Sequence, residues 1–181
     1  MGLPHGFRSR TNAIAREARA SLGLAPTAPL SPWRLAAKME IAVAPVSSFA
    51  SKCSSAVSHL MTVDRKAFSA GTFRLAGKTL VVFNDANPEE RQASDLAHEL
   101  AHVILKHPML PVLDERGCRH FDKNLEEQAN WLGPALLISE EAALHIARLG
   151  WTVERAAIAY QVTEEVARFR LNVTAAYRRV A

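Results

Sequence analysis

The chain has 181 residues, 49% of them hydrophobic and 22% charged, which is the composition of a globular domain with room for a core and excludes a disordered or fibrous chain. A net charge of +4, scattered along the chain, permits an encounter with nucleic acid without arguing for one. No apolar run approaches the roughly 18 residues that span a bilayer. The opening MGLPHGFRSR has no apolar secretory segment, and two cysteines, Cys53 and Cys118, suit a reducing compartment, so the expectation is a cytoplasmic protein without membrane contact.

The first predicted element runs from Phe7 to Leu22, rich in Ala, Arg and Glu, with Ile14, Ala18 and Leu22 at helical spacing. APTAPL (25–30) interrupts it, and Ser31 followed by Pro32 opens a short second helix. Three strand-like runs come next, IAVAPV (41–46), HLMTV (59–63) and KTLVVFN (78–84), and FSAGTFRLAGK (68–78) reads as a further strand with its turn. Beyond Asn84 the pattern becomes helical. Helices, a small antiparallel sheet, then more helices make an α+β arrangement. No repeat or long linker interrupts it.

The first helix after the sheet carries His-Glu-Leu-Ala-His at 98–102. Asn87 is a suitable cap, Pro88 suits the first helical position, and Glu89 and Glu90 place negative charge at the positive end of the dipole, Glu90 completing a capping-box-like pattern. Pro108 disfavours helix in the residue before it, so the helix is expected to stop near His107. His98 and His102 then sit one turn apart on one face, as a shared metal ion requires. Glu99 stands beside them, placed to reach a water rather than the metal, while Leu100, Val103 and Ile104 turn towards the core. Chance remains a competing explanation in a chain with seven histidines, so context has to decide.

A third ligand is expected downstream. In NLEEQANWLGPALL (124–137), Glu126 and Asn130 are four apart and share a helix face, which suits a carboxylate ligand beside a group that orients a ligating histidine. Glu127 points about 100° away, towards solvent. His98, His102 and Glu126 would leave one position on Zn2+ for water, the pattern of a catalytic rather than a structural zinc. The alternative is that both glutamates decorate a helix N-terminus.

The runs NDANPEERQASDLAHELAHVILKH and LEEQANWLGPALLI, with FSAGTF upstream and AIAYQVTEEVARFRLNVTAA (157–176) downstream, resemble the ImmA/IrrE family of zinc metallo-endopeptidases. ANWL and the tail are most similar to the CapP-type peptidases of anti-phage defence operons. The resemblance implies a peptidase domain over 1–150, with a helix-turn-helix-like extension over 151–181 packed on it. It further implies cleavage of a partner helix-turn-helix repressor after a stress, phage or DNA-damage signal, with derepression of an operon. Two departures stand out. Gly133-Pro134 occupies a place where many members carry small residues, and Pro134 is expected to kink or end the helix just past Asn130. The usual proline after Leu-Leu-Ile is Ser139, which can cap a following helix beginning Glu140-Glu141.

By residue type, Glu99 takes a proton from water and passes it to the leaving amine. His120, Tyr160 and Arg170 are candidates for an oxyanion donor, each with a competing reading as a surface or packing residue. Cys118 lies in a polar loop between the two ligand-bearing helices. It reads either as a fourth, inhibitory zinc ligand that is released on activation or as an ordinary loop cysteine. His107 is expected to meet the helix C-terminus, and His59, His145 and Cys53 read as structural. Two other functions compete. VERAAIAYQVTEEVARFRLN (153–172) has helix-turn-helix spacing with Thr163 as a cap, as in a DNA-binding regulator. Glu164 and Glu165 at the start of its second helix would oppose phosphate contact. Arg168, Arg170, Arg178 and Arg179 leave open a nucleic acid or small molecule as activator. A zinc protein that only grips a repressor is disfavoured by the intact Glu99.

Overall fold

A computed structural model describes residues 3–75, 77–108 and 122–180. Helix α1 (Phe7–Ser21) and α2 (Pro32–Lys38) come first, α2 capped by the Ser31 hydroxyl with Pro32 at its first position. Strand β1 (Ala42–Pro45) leads through a 3-10 turn (Val46–Phe49) to α3 (Ser54–Ser58), then β2 (Ala70–Leu75) and β3 (Lys78–Phe83). The remainder is helical: α4 (Glu89–Ile104), α5 (Lys123–Leu137), α6 (Glu140–Arg148), α7 (Val153–Tyr160), α8 (Glu164–Val173) and α9 (Ala176–Val180). This is an α+β fold.

The three-stranded sheet has the order β1-β3-β2. β2 and β3 form an antiparallel hairpin, but β1 runs parallel to β3, pairing Ala42 with Leu80 through to Pro45 with Phe83. The sheet is therefore mixed, not purely antiparallel as expected: β2 runs opposite to both other strands, and β3 inserts between β1 and β2 pointing the same way as β1. HLMTV (59–63) accounts for the difference. It continues α3 as a π-helical turn, with Thr62 donating its hydroxyl proton back to the Ser58 carbonyl at 2.7 Å. Five apolar residues do not distinguish strand from helix, and no neighbouring strand among the described residues pairs with them. Asn84, 1% exposed, fastens this segment to the end of β3 by donating to the Leu60 and Phe68 carbonyls.

Two apolar clusters hold the elements together. One joins α1, α2 and the sheet to α4 and α5 through Ala18, Leu35, Val81, Leu96, Leu100, Leu132 and Leu136. The other joins the end of α5 to α6–α9 through Ile138, Ile146, Tyr160, Val162 and Leu171, and so draws on residues on both sides of residue 150. Between the clusters, α4 and α5 cross on small residues. Ala97, Ala101 and Ala129 are fully buried, and a Cβ added at Gly133 would lie 3.1 Å from the Cα and the amide nitrogen of His98. The glycine lets the two backbones approach at the first histidine of the motif. Pro134 does not end α5, which runs on to Leu137 with the Ile138 amide donating to the Pro134 carbonyl. Burial of the next turn, including Ala135, Leu136 and Leu137, outweighs the one backbone hydrogen bond that the proline removes.

Candidate functional site

Helix α4 begins one residue later than its capping pattern predicts. Pro88, not Asn87, occupies the cap position, and no side chain caps the helix. The Gln92 side chain instead donates to the Asn87 carbonyl at 2.7 Å, so the chain is turned into the helix from within. The far end closes before the expected stop. Lys106 adopts a left-handed φ of 57°, the Lys106 amide donates to Val103 and the His107 amide to His102, which is a Schellman ending. That reversal folds His107 back over the helix.

The spacing of the motif then has its physical effect. The Nε2 atoms of His98 and His102 are 3.1 Å apart. On the facing helix, Asp122 caps α5 by accepting from the Asn124 and Leu125 amides, which brings Glu126 into the first turn. The Glu126 carboxylate lies 3.3 Å from His98 Nε2 and 3.5 Å from His102 Nε2. Donors at zinc bond lengths in a tetrahedron lie about 3.3–3.4 Å from one another, so these three atoms already stand close to the edges of a zinc tetrahedron. The donor set fits the ion. All three side chains keep a fifth to a third of their surface exposed, at the wall of a cleft of about 930 Å³.

The electrostatics favour a cation at this point. Hydrogen bonds from His102 and His98 hold the Glu126 carboxyl well below the usual carboxylate range. Burial works against a charged His98, but the Glu126 hydrogen bond and the charges of Glu99, Glu126 and Asp95 outweigh it and raise its pKa. Asp95 moves up through burial, partly offset by Arg91, its ion-pair partner at 2.9 Å. Several carboxylates around one imidazole cost energy unless positive charge sits among them.

Two further residues join the site, one without any signal in the sequence and one expected elsewhere. Thr72 on β2 donates its hydroxyl proton to Glu99 Oε2 at 2.5 Å, which holds that carboxylate at the mouth of the cleft. His107 closes the helix C-terminus with its amide, but its ring turns to His102, with the two Nδ1 atoms 3.0 Å apart. Burial and the neighbouring His102 lower its pKa, so it stays neutral. Its position five residues after His102 is the one signal the sequence carries. Thr72 has none, because only tertiary packing brings β2 against α4.

Other expectations change. Asn130 lines the cleft, yet it is exposed and makes no hydrogen bond to either histidine among the described residues; the ring contact from His107 occupies the orienting place expected for it. Tyr160 and Arg170 do not line the cleft. The Tyr160 hydroxyl donates to the Thr27 carbonyl at 2.7 Å and Arg170 Nε donates to the Ile138 carbonyl at 2.8 Å, so neither serves as an oxyanion donor in this arrangement. Both are buried in the cluster around α8 that their apolar neighbours build. Cys118 and His120 lie outside the described residues. Thr163, Glu165 and Val166, at the start of α8, form part of the cleft wall.

The family model described as the IrrE N-terminal-like domain, Peptidase_M78, matches residues 54–172, a span that contains every residue of this site. No curated protein and no solved structure matches the chain.

Proposed function

The chain belongs to the IrrE N-terminal-like peptidase family, and from that premise we propose that it is a zinc-dependent endopeptidase that cuts a partner helix-turn-helix repressor in response to a stress signal. The observation that carries the reading is the triangle of His98, His102 and Glu126 donors, 3.1–3.5 Å on a side, with Glu99 next to it. When bound, zinc supplies Lewis-acid polarisation of the scissile carbonyl and makes water more acidic. Glu99 accepts the proton from water and delivers it to the leaving amine. The Thr72 hydroxyl occupies Oε2 and leaves the other carboxylate oxygen to carry that proton. The His107 ring, 3.0 Å from His102 Nδ1, fixes the orientation of His102 so that its Nε2 faces Glu126 and His98.

A peptide suits the cleft. β2 is an edge strand, its outer side has no strand partner among the described residues, and Ala70 to Phe73 line the cleft beside Glu99. An extended segment can add to such an edge through main-chain hydrogen bonds, which places its backbone carbonyl beside the donor triangle. The repressor as substrate, and stress or phage infection as trigger, rest on what is general to the ImmA/IrrE family and on the resemblance to its CapP-type members. A DNA-binding role for α7–α8 has less support, because the N-terminus of α8 faces the cleft with Glu165 and acidic groups oppose phosphate contact. No helix among the described residues is long and apolar enough to cross a membrane.

The test mixes zinc-loaded protein with a candidate helix-turn-helix repressor. One discrete cut is expected, and Glu99→Gln should abolish it with zinc content unchanged. Cutting by Glu99→Gln at the wild-type rate would rule out the assignment of the base.

A further inference from the structure

A second pocket, of about 200 Å³, lies among α1, α5, α6, α8 and α9 and shares no lining residue with the cleft. Trp131, one of its walls, is five residues beyond Glu126 on α5 and therefore about 140° around that helix. Arg170 lines it from α8, Arg8 from α1 and Arg179 from α9.

Arg170 is the unusual member. Its side chain is 1% exposed, and a guanidinium carries five N–H donors. Its Nε donates to the Ile138 carbonyl, while Nη2 is buried with no partner among the described residues. Burial lowers its pKa to about 10, which leaves it charged at neutral pH. Glu140, the carboxylate in the pocket, is taken by others: Arg179 Nη1 donates to it at 2.5 Å and Asn12 donates to its second oxygen. Three guanidiniums therefore face one carboxylate, and the pocket keeps an excess of two positive charges. Arg8 lies over the Trp131 ring at 4.6 Å, held at the mouth by a cation–π contact. A buried cation with so few hydrogen bonds is costly unless an anion completes its shell.

We propose that this pocket binds a small phosphate-type dianion, held by Arg170 from within and by Arg8 and Arg179 at the mouth, with the Trp131 ring as an apolar wall. Guanidiniums carried by three different helices line the pocket, and so many donors suit a tetrahedral oxyanion with several acceptor oxygens better than a planar carboxylate with two. The charge of a phosphomonoester matches the excess in the lining. The inference does not depend on the peptidase reading.

The experiment titrates inorganic phosphate into zinc-loaded protein by calorimetry, against sodium chloride of equal ionic strength. Saturable binding at one site is expected. It should survive His98→Ala/His102→Ala, which removes the competing metal, and should weaken about tenfold in Arg8→Gln and in Arg179→Gln. Arg170→Gln should abolish it; if that variant does not fold, the two mouth variants decide. No saturation in the millimolar range, affinity unchanged in both mouth variants, or loss of binding with the histidine pair would each overturn the proposal.

Discussion

At its N-terminal end α5 presents Glu126, partly exposed, to two histidines of α4; at its C-terminal end the last carbonyls are held by two buried arginines. Arg19 uses all three of its nitrogens there or close by, donating to Leu137, Ala28 and Ala15 at 2.9–3.1 Å, and Arg170 donates to Ile138. Burial lowers the pKa of Arg19 to about 10, yet it remains a cation at neutral pH, placed where the negative end of the helix dipole favours one. The contrast separates two ways of using charge. The carbonyls at the C-terminal end are already satisfied, and they anchor the helix to α1 and α8. The N-terminal end gathers a carboxylate and two imidazoles in an arrangement that fits a metal ion.

The largest effect expected on this contrast is at the metal end. Glu126→Ala should weaken zinc binding by more than about a hundredfold, as loss of a ligand exceeds the usual cost of losing a group behind one, whereas Glu127→Ala should change it little. Competition against a zinc chelator measures both, and His98→Ala/His102→Ala supplies the zero. Equal losses for the two glutamates would mean that α5 is rotated from the arrangement described.

At the anchored end, Arg19→Met should destabilise the fold by about 2–3 kcal/mol, because three carbonyls lose a charged donor in the interior. Urea unfolding of the zinc-loaded protein checks this, and a cost below the error of the method would show that the anchor is dispensable. Gly133→Ala comes next. The new methyl would press on the His98 backbone, so stability should fall by about 1–2 kcal/mol and zinc affinity should fall with it, since α5 must move away from α4. A loss of stability with zinc affinity unchanged would separate the helix contact from the ligand geometry.

The smallest effect is a pH dependence. In zinc-free protein the lowered pKa of Glu126 contributes stability that is present above its ordinary value of 4.5 and is lost as pH falls through the acid range. The raised pKa of His98 contributes stability that is present below its ordinary value of 6.5 and is lost as pH rises through the higher folded value. The stability difference between wild type and Glu126→Ala should therefore be greatest between pH 4.5 and 6.5 with chelator present. With zinc it should grow with pH instead, because ligation needs neutral imidazoles. Unfolding titrations at several pH values distinguish the two regimes, and an identical profile with and without zinc would remove the ion from the site.

Much of the site is legible in the sequence. The turn-apart histidines, the intervening glutamate and the choice of Glu126 over Glu127 are statements about helical periodicity, and a helix is closed by hydrogen bonds between residues four apart in the chain. Caps at Ser31, Ser139 and Thr163 belong to the same local chemistry. Chain order does not decide the relations between distant segments. Whether HLMTV is strand or helix depends on a partner strand, and none among the described residues takes that place. The parallel pairing of β1 depends on β3 taking the place between β1 and β2. Thr72 meets Glu99 across 27 positions of sequence, and Arg170, an oxyanion candidate by residue type alone, is drawn instead to the Ile138 carbonyl beside a separate pocket. Local pattern determined which elements form and which side chains share a face. Packing of Ala97, Ala101, Ala129 and Gly133 decided which faces meet, because burial and close approach are properties of the whole core and leave no local signature in any one segment.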